Sequence, residues 1–273
     1  MTQQLSSTMR AATQRAYGSS ELLQLETIDR PIVGPGEVLI EVVAAGLDRG
    51  VWHLMHGLPY LMRILGFGFR RPKQPVPGLD VAGRVVSVGP DVERFAVGDE
   101  VFGVGRGTFA EYAVAEEGKL VAKPASVPFE QAAVTAISGM TAHEALVRVG
   151  RVEAGQHVLV IGASGGVGSF AVQLAKALGA TVTGVARGAK HDAVRRLGAD
   201  HVIDYTVTEI DAGDTRYDLI IDTGGQPVVA AAAGPHSDGN PGHRRRGGTA
   251  DVSPGVSDAS SEPPWSRPSF AND

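Results

Sequence analysis

The chain has no cysteine at any of its 273 positions. That absence removes disulfides, thiolate nucleophiles and every cysteine-based zinc site. Long apolar runs are missing too; none approaches the roughly 20 residues that span a bilayer. The N-terminal stretch MTQQLSSTMRAATQRAYG lacks the apolar centre of a signal peptide. The expected setting is therefore cytoplasmic, with no membrane partner. Positive charge is also short: 25 Lys and Arg against 30 Asp and Glu leave a net charge of −5, which disfavours a nucleic acid or a membrane surface. The composition is otherwise globular. At 43 % hydrophobic and 20 % charged residues, a core can be buried in one large or two ordinary domains.

From Met9 to about Pro124, short β-branched runs lie between Gly and Pro turns. Val38 to Val43, Val81 to Val88 and Phe109 to Val114 read as strands of an irregular all-β barrel. The apolar and basic stretch His53 to Arg71 reads either as a substrate-side lid or as a loop packed by its own side chains. From Ser126 the period changes. Phe129 to Arg148 reads as helical with a break at Ser138-Gly139. Strands at His157 to Ile161, Thr181 to Val185, His201 to Ile203 and Tyr217 to Asp222 then alternate with helices at Gly165 to Leu178 and Ala189 to Leu197. That alternation means βαβ units and a parallel sheet. The fold class is α/β, a barrel (1–124) followed by a doubly wound domain (125–225) that stops after its fourth strand.

Gly162-Ala163-Ser164-Gly165-Gly166-Val167-Gly168 follows a strand and opens a helix, the context in which a glycine loop binds pyrophosphate. Glycine lets the backbone approach the phosphates, and the helix start offers unpaired N–H groups at the positive dipole end. Gly165 and Gly168 are the candidates for close approach and for helix–sheet packing. NAD-selective folds place an acid at the end of the second strand to hold the ribose 2′-OH. Here Gly184-Val185-Ala186-Arg187-Gly188-Ala189-Lys190 has two cations and no acid, which favours NADP(H). Solvated surface charges remain the alternative for Arg187 and Lys190.

The strings AISGMTAHEAL, VLVIGASGGVGSFAVQLAKALGA and LGADHVIDY, in this order, resemble the quinone oxidoreductase group of the medium-chain dehydrogenase/reductase superfamily. GPGEVLIEVVAAGL, PGLDVAGRVVSVGPDVERFAVGDEVFG and GTFAEYAV are similar to its GroES-like catalytic domain. The resemblance, from Met9 to Gly225, implies a GroES-like barrel followed by a Rossmann domain. It places the pyrophosphate on Gly162, Ala163, Ser164, Gly165, Gly166, Val167 and Gly168. It puts the 2′-phosphate near Arg187, Lys190 and Tyr205, and Thr141 close to the nicotinamide. Tyr205 reads equally as strand-end packing. Zinc-dependent relatives carry a Cys and a Gly-His-Glu where this chain has Gly46-Leu47-Asp48 and Gly78-Leu79-Asp80. No metal is therefore expected. Asp48 stands where relatives have an active-site polar residue and is the one catalytic candidate; Asp80 reads as structural. The resemblance implies hydride transfer from NADPH to a small quinone, enal or ketone, and allows a homodimer in intact relatives.

Residues 226–273 break the pattern. Gln226 to Asp273 holds seven of the 16 prolines and no Leu, Ile, Met, Tyr or Lys, so a disordered or irregular tail is expected. Reading degenerate codons one nucleotide later permits an amphipathic start. A string Ala-Leu-Thr-Pro-Thr-Gly-Thr-Leu-Val-Ile-Val-Gly-Gly-Glu follows, similar to what the family has there. The tail thus reads as out-of-frame coding sequence, leaving the fourth strand as an uncovered edge. Two further functions stay open: an inactive remnant that at most binds nucleotide weakly, and a DNA-binding role resting on Arg244-Arg245-Arg246 alone.

Overall fold

The computed structural model describes residues 6–61, 63–208, 210, 215–223, 229–232 and 249–251. The chain divides into two compact units, the first running to Ile137 and the second beginning at Ser138.

In the first unit β1 (Thr8–Thr13) and β2 (Gln24–Asp29) form an antiparallel pair. β3 (Glu37–Ala45) leads, through α1 (Arg49–His56), to β4 (Asp80–Val88). β5 (Glu100–Val104), β6 (Tyr112–Glu116) and β7 (Leu120–Ala122) complete a five-stranded antiparallel sheet of order β6-β3-β4-β5-β7. The inward faces of these strands bury Val38, Ile40, Val81, Val85, Val101, Ala115 and Leu120, as period-2 alternation requires. β6 starts at Tyr112 rather than Phe109. The preceding residues serve the other sheet, Phe109 O accepting from Ala12 N at 2.8 Å and Ala110 bridging Ala11.

α2 (Phe129–Ala132) and α3 (Ala136–His143) follow, with turn residues at Ala133–Thr135 between them. The break therefore falls before Ser138-Gly139, which sit inside α3. Ala132 and Ala133 pack with Ala82 against Phe102, Val127 and Phe129, so residues 125–137 belong with the barrel.

In the second unit β8 (His157–Ile161), α4 (Gly166–Ala177), β9 (Thr181–Val185), α5 (His191–Arg196), β10 (His201–Ile203) and β11 (Leu219–Asp222) alternate as expected. Their parallel order is β10-β9-β8-β11. Val158, Val160, Val182, Leu219 and Ile221 of these strands are buried with Ala171, Val172 and Ala175 of α4. The parallel part stops at its fourth strand. Its edge is not bare, however. β12 (Val229–Ala232) pairs antiparallel with β11, Leu219 opposite Ala232, and β13 (Thr249–Asp251) pairs with β12. The expectations of an uncovered edge and of an irregular tail are corrected at these positions. An antiparallel partner needs only a short connection, whereas a further parallel strand needs a crossover. The rest of the tail lies outside the described residues.

Candidate functional site

The candidate residues fall in both units. In the second unit the glycine loop joins β8 to α4. Gly162 has φ +79, a left-handed conformation that favours glycine. The N–H groups of Gly162 and Ala163 both reach Val185 O at 3.1 Å, tying the loop to the end of β9. Gly165 is the helix N-cap and carries no capping oxygen, so no side chain of its own meets the N–H groups of the first turn. A Cβ on Gly168 would run into the Gly162 carbonyl oxygen and stand 2.9 Å from Ala163 Cα. Gly168 thus permits close helix–strand packing, the role expected of it. A Cβ on Gly165 would meet only Gly162 O, at 3.3 Å, so nothing inside the protein demands glycine there. Ser164, Gly165 and Gly166 are exposed, while Ala163 is fully buried and offers only backbone.

Arg187, predicted as a 2′-phosphate contact, donates from Nε to the Tyr205 hydroxyl at 2.8 Å. The fold therefore unites two residues that lie far apart in the chain, because β10 is hydrogen-bonded beside β9. Lys190 closes the short turn Gly188–Lys190, its N–H reaching Arg187 O at 2.8 Å.

Sequence reasoning missed three groups here. Asp204, at the end of β10, brings a carboxylate against Gly188. Its Oδ1 accepts from Thr206 N at 2.9 Å and Thr206 Oγ1 at 2.7 Å. These two bonds, then the Gly188 N–H and the nearby His191, hold its carboxyl below the usual range. Only adjacency of the two strand ends could have flagged it. Thr223, after β11, donates from Oγ1 to Ile161 O at 2.8 Å at the mouth of the loop. Ser138, 5 % exposed, places its hydroxyl 2.8 Å from where a Gly166 Cβ would stand. Thr141, one turn further along α3, is likewise buried.

In the first unit Asp48 caps α1, its Oδ1 accepting from Val51 N at 2.9 Å. Its Oδ2 is buried and finds no partner among the described residues. Asp80, at the start of β4, is 1 % exposed, and its Oδ1 accepts from Ile137 N at 3.0 Å. Burial, and next the charge of Asp48, push the Asp80 carboxyl from 3.8 to about 7, against the pull of the Ile137 N–H. Gly46 lies against it: a Cβ there would stand 2.7 Å from Asp80 Cβ. The first unit also holds a cavity of about 270 Å³, lined mainly by apolar groups including Leu54, Met55, Phe67, Val76 and Leu79. Leu79, where zinc-dependent relatives carry histidine, is one of its walls. Among the described residues no three His, Asp or Glu side chains converge as metal ligands.

With this geometry in place, comparison with known proteins identifies the class. Residues 34–125 match the alcohol dehydrogenase GroES-like domain, and residues 166–234 match the zinc-binding dehydrogenase domain. The chain belongs to the medium-chain dehydrogenase/reductase superfamily, in its quinone oxidoreductase-like group, and is by family an oxidoreductase.

It is 36 % identical over 264 residues to the quinone-oxidoreductase QR1, chloroplastic, of Triphysaria versicolor, a match covering 90 % of this chain and 75 % of that protein. It is 38 % identical to the NADPH-dependent alkenal/one oxidoreductase, chloroplastic, of Arabidopsis thaliana, covering 78 % of this chain and 57 % of that one. The solved structure of the quinone oxidoreductase from Coxiella burnetii superposes with a TM-score of 0.71 at 30 % identity, over 79 % of this chain and 68 % of its own. The chain thus spans between about half and three quarters of the relatives it matches.

Proposed function

We propose that the chain is built to reduce a quinone, enal or ketone with NADPH, without zinc, and that its coding sequence leaves frame after Gly225. The observation that carries the cofactor preference is the Arg187–Tyr205 pair at the end of β9. An NAD-selective fold would have an acid there to accept from the ribose 2′-OH. A guanidinium oriented by a tyrosine hydroxyl instead suits a 2′-phosphate. Asp204, which the fold brings in, is held by Thr206 through Oδ1 and by the Gly188 N–H.

The residues present fit the nucleotide: the open Gly165 and the uncapped first turn of α4 would receive the pyrophosphate. When bound, the nicotinamide supplies hydride chemistry. The protein's part is to hold and orient. Thr141 would stand beside the nicotinamide, and Arg187, Lys190 and Tyr205 would fix the adenosine end. The apolar cavity of the first unit suits a small carbonyl or quinone and excludes water from it. Asp48, whose Oδ2 is buried without a partner among the described residues, is the polar candidate of the first unit. The donor set does not suit zinc: cysteine is absent, Leu79 is apolar, and Asp48 Oδ1 is spent on the helix cap.

A second reading, a nucleotide-binding remnant, is favoured by one observation: among the described residues β11 is the last parallel strand of the sheet. NADPH consumption with a quinone, an enal and a ketone, measured on this chain and on a version with the frame restored after Gly225, separates the two. The proposal expects turnover in the restored protein, with NADPH far ahead of NADH. Absence of turnover with every acceptor in a folded restored protein contradicts it. Binding without turnover in the present chain alone identifies that chain as the remnant.

A further inference from the structure

We propose that the segment from Arg49 to Lys73 is a surface that docks on an anionic lipid bilayer. The whole-chain charge of −5 conceals an asymmetry. Between Asp48 and Asp80 there are five cations, Arg49, Arg63, Arg70, Arg71 and Lys73, and not one Asp or Glu. The same segment turns four large apolar side chains outward: Tyr60, Leu61, Ile64 and Phe69 are 68 %, 60 %, 69 % and 70 % exposed. Scattered apolar side chains on a surface need no explanation, but four within ten residues, flanked by unpaired cations, do.

The segment is not a loose loop. Arg63 folds it, donating from Nε to Gly57 O at 2.8 Å and from Nη2 to His56 O at 3.0 Å, with its guanidinium over the rings of Tyr17 and Tyr60. Tyr17 adds a hydroxyl bond to Gly68 O at 2.6 Å, and Lys73 N reaches Phe67 O at 2.9 Å. One cation is thus consumed in holding the apolar side chains out. Arg49, Arg70, Arg71 and Lys73 are exposed and form no ion pair with any described residue.

That combination selects the partner. Each basic residue near an anionic bilayer contributes about 1 kcal/mol, and exposed aromatic and aliphatic groups add insertion at the headgroup boundary. Charge and apolar contact thus act together on the same surface. A second copy of the chain is a poorer fit. A two-fold interface sets a patch against itself, so the unpaired arginines would face one another with no carboxylate between them. The segment also supplies Leu54, Met55 and Phe67 to the wall of the apolar cavity, so the surface adjoins a place where a lipophile fits. The proposal stands apart from the reductase reading, because its test reads binding to lipid.

The test is flotation of the full chain with vesicles, which leaves aggregated protein at the bottom of the gradient. At low salt, recovery with phosphatidylcholine–phosphatidylglycerol vesicles should exceed that with pure phosphatidylcholine by roughly tenfold or more. The double variant Arg70→Glu, Arg71→Glu should fall to the phosphatidylcholine level with unchanged circular dichroism, and Phe69→Ser should weaken binding at every salt concentration. Equal recovery on the two vesicle types, or full binding by the double variant, overturns the proposal. So does a lipid-free, concentration-dependent dimer that Phe69→Ser abolishes, which would assign the surface to a second copy.

Discussion

Replacing Gly168 by alanine tests how α4 is held against the sheet, and the structure sets the size of the effect. In a free helix the change would stabilise by about 1 kcal/mol, because glycine costs that much relative to alanine. Here the new methyl would run into the Gly162 carbonyl oxygen and stand 2.8 Å from its carbon and 2.9 Å from Ala163 Cα. All three atoms are backbone, so no side chain can swing away, and the loop is itself fastened to Val185 O. Overpacking of this kind costs about 1–3 kcal/mol, and an immovable neighbour puts it near the upper end. The net expectation is destabilisation of about 1–2 kcal/mol, a fall in Tm of roughly 2–8 °C at this chain length.

Gly165→Ala is the matched control. Its methyl would meet only Gly162 O at 3.3 Å, so stability should drop by less than about 1 kcal/mol. Its NADPH affinity should nevertheless fall at least tenfold, since the methyl fills the space the pyrophosphate needs. Thermal unfolding followed by circular dichroism, with a fluorescence titration of NADPH, reads both quantities. Gly168→Ala unfolding at or above the parent's temperature would refute the packing argument. Unchanged NADPH affinity in Gly165→Ala would refute the binding role of the loop.

Asp80 gives a pH dependence whose sign follows from its direction of shift. Its carboxyl is raised from 3.8 to about 7 in the folded chain, so folding keeps a proton that the unfolded chain releases. Stability from this group is full below pH 4, declines as pH rises toward 7 and is level above it, a loss on the order of 4 kcal/mol. Asp80→Asn, which keeps an acceptor for Ile137 N, should flatten that slope in urea denaturation; a slope unchanged in the variant would show that other groups cause it. Elemental analysis of the untagged protein should find no stoichiometric zinc, and one dialysis-resistant zinc per chain would contradict the reading of Leu79 and Asp48.

The second unit was legible because its signals are local. A buried apolar run, a glycine loop and an alanine-rich helix follow one another from His157 to Ala177, each confined to one element. What stayed hidden depends on packing between elements. Ser138 and Gly139 look like a helix break, yet Ser138 is buried against Gly166 and the helix runs through both. Asp204 reaches Gly188 only because β10 lies beside β9. Asp48, three residues before the buried Val51, is legible in the sequence as an N-cap, since a carboxylate there meets a free N–H of the first turn. The antiparallel β12 was invisible to composition, because three of its four residues are alanine, which has little strand propensity, and its pairing is with the edge of β11.

The proposed preference for NADP(H) rests on Arg187, oriented by the Tyr205 hydroxyl. Parallel fluorescence titrations of NADPH and NADH, on the parent and on Arg187→Ala, test it most directly. Tighter binding of NADPH by the parent is expected. In the variant NADPH affinity should fall roughly ten- to a hundredfold, as removal of a charge-assisted phosphate contact costs roughly 1.5–3 kcal/mol, with NADH unaffected. Tighter binding of NADH by the parent, or an Arg187→Ala variant that binds NADPH as well as the parent does, would contradict it.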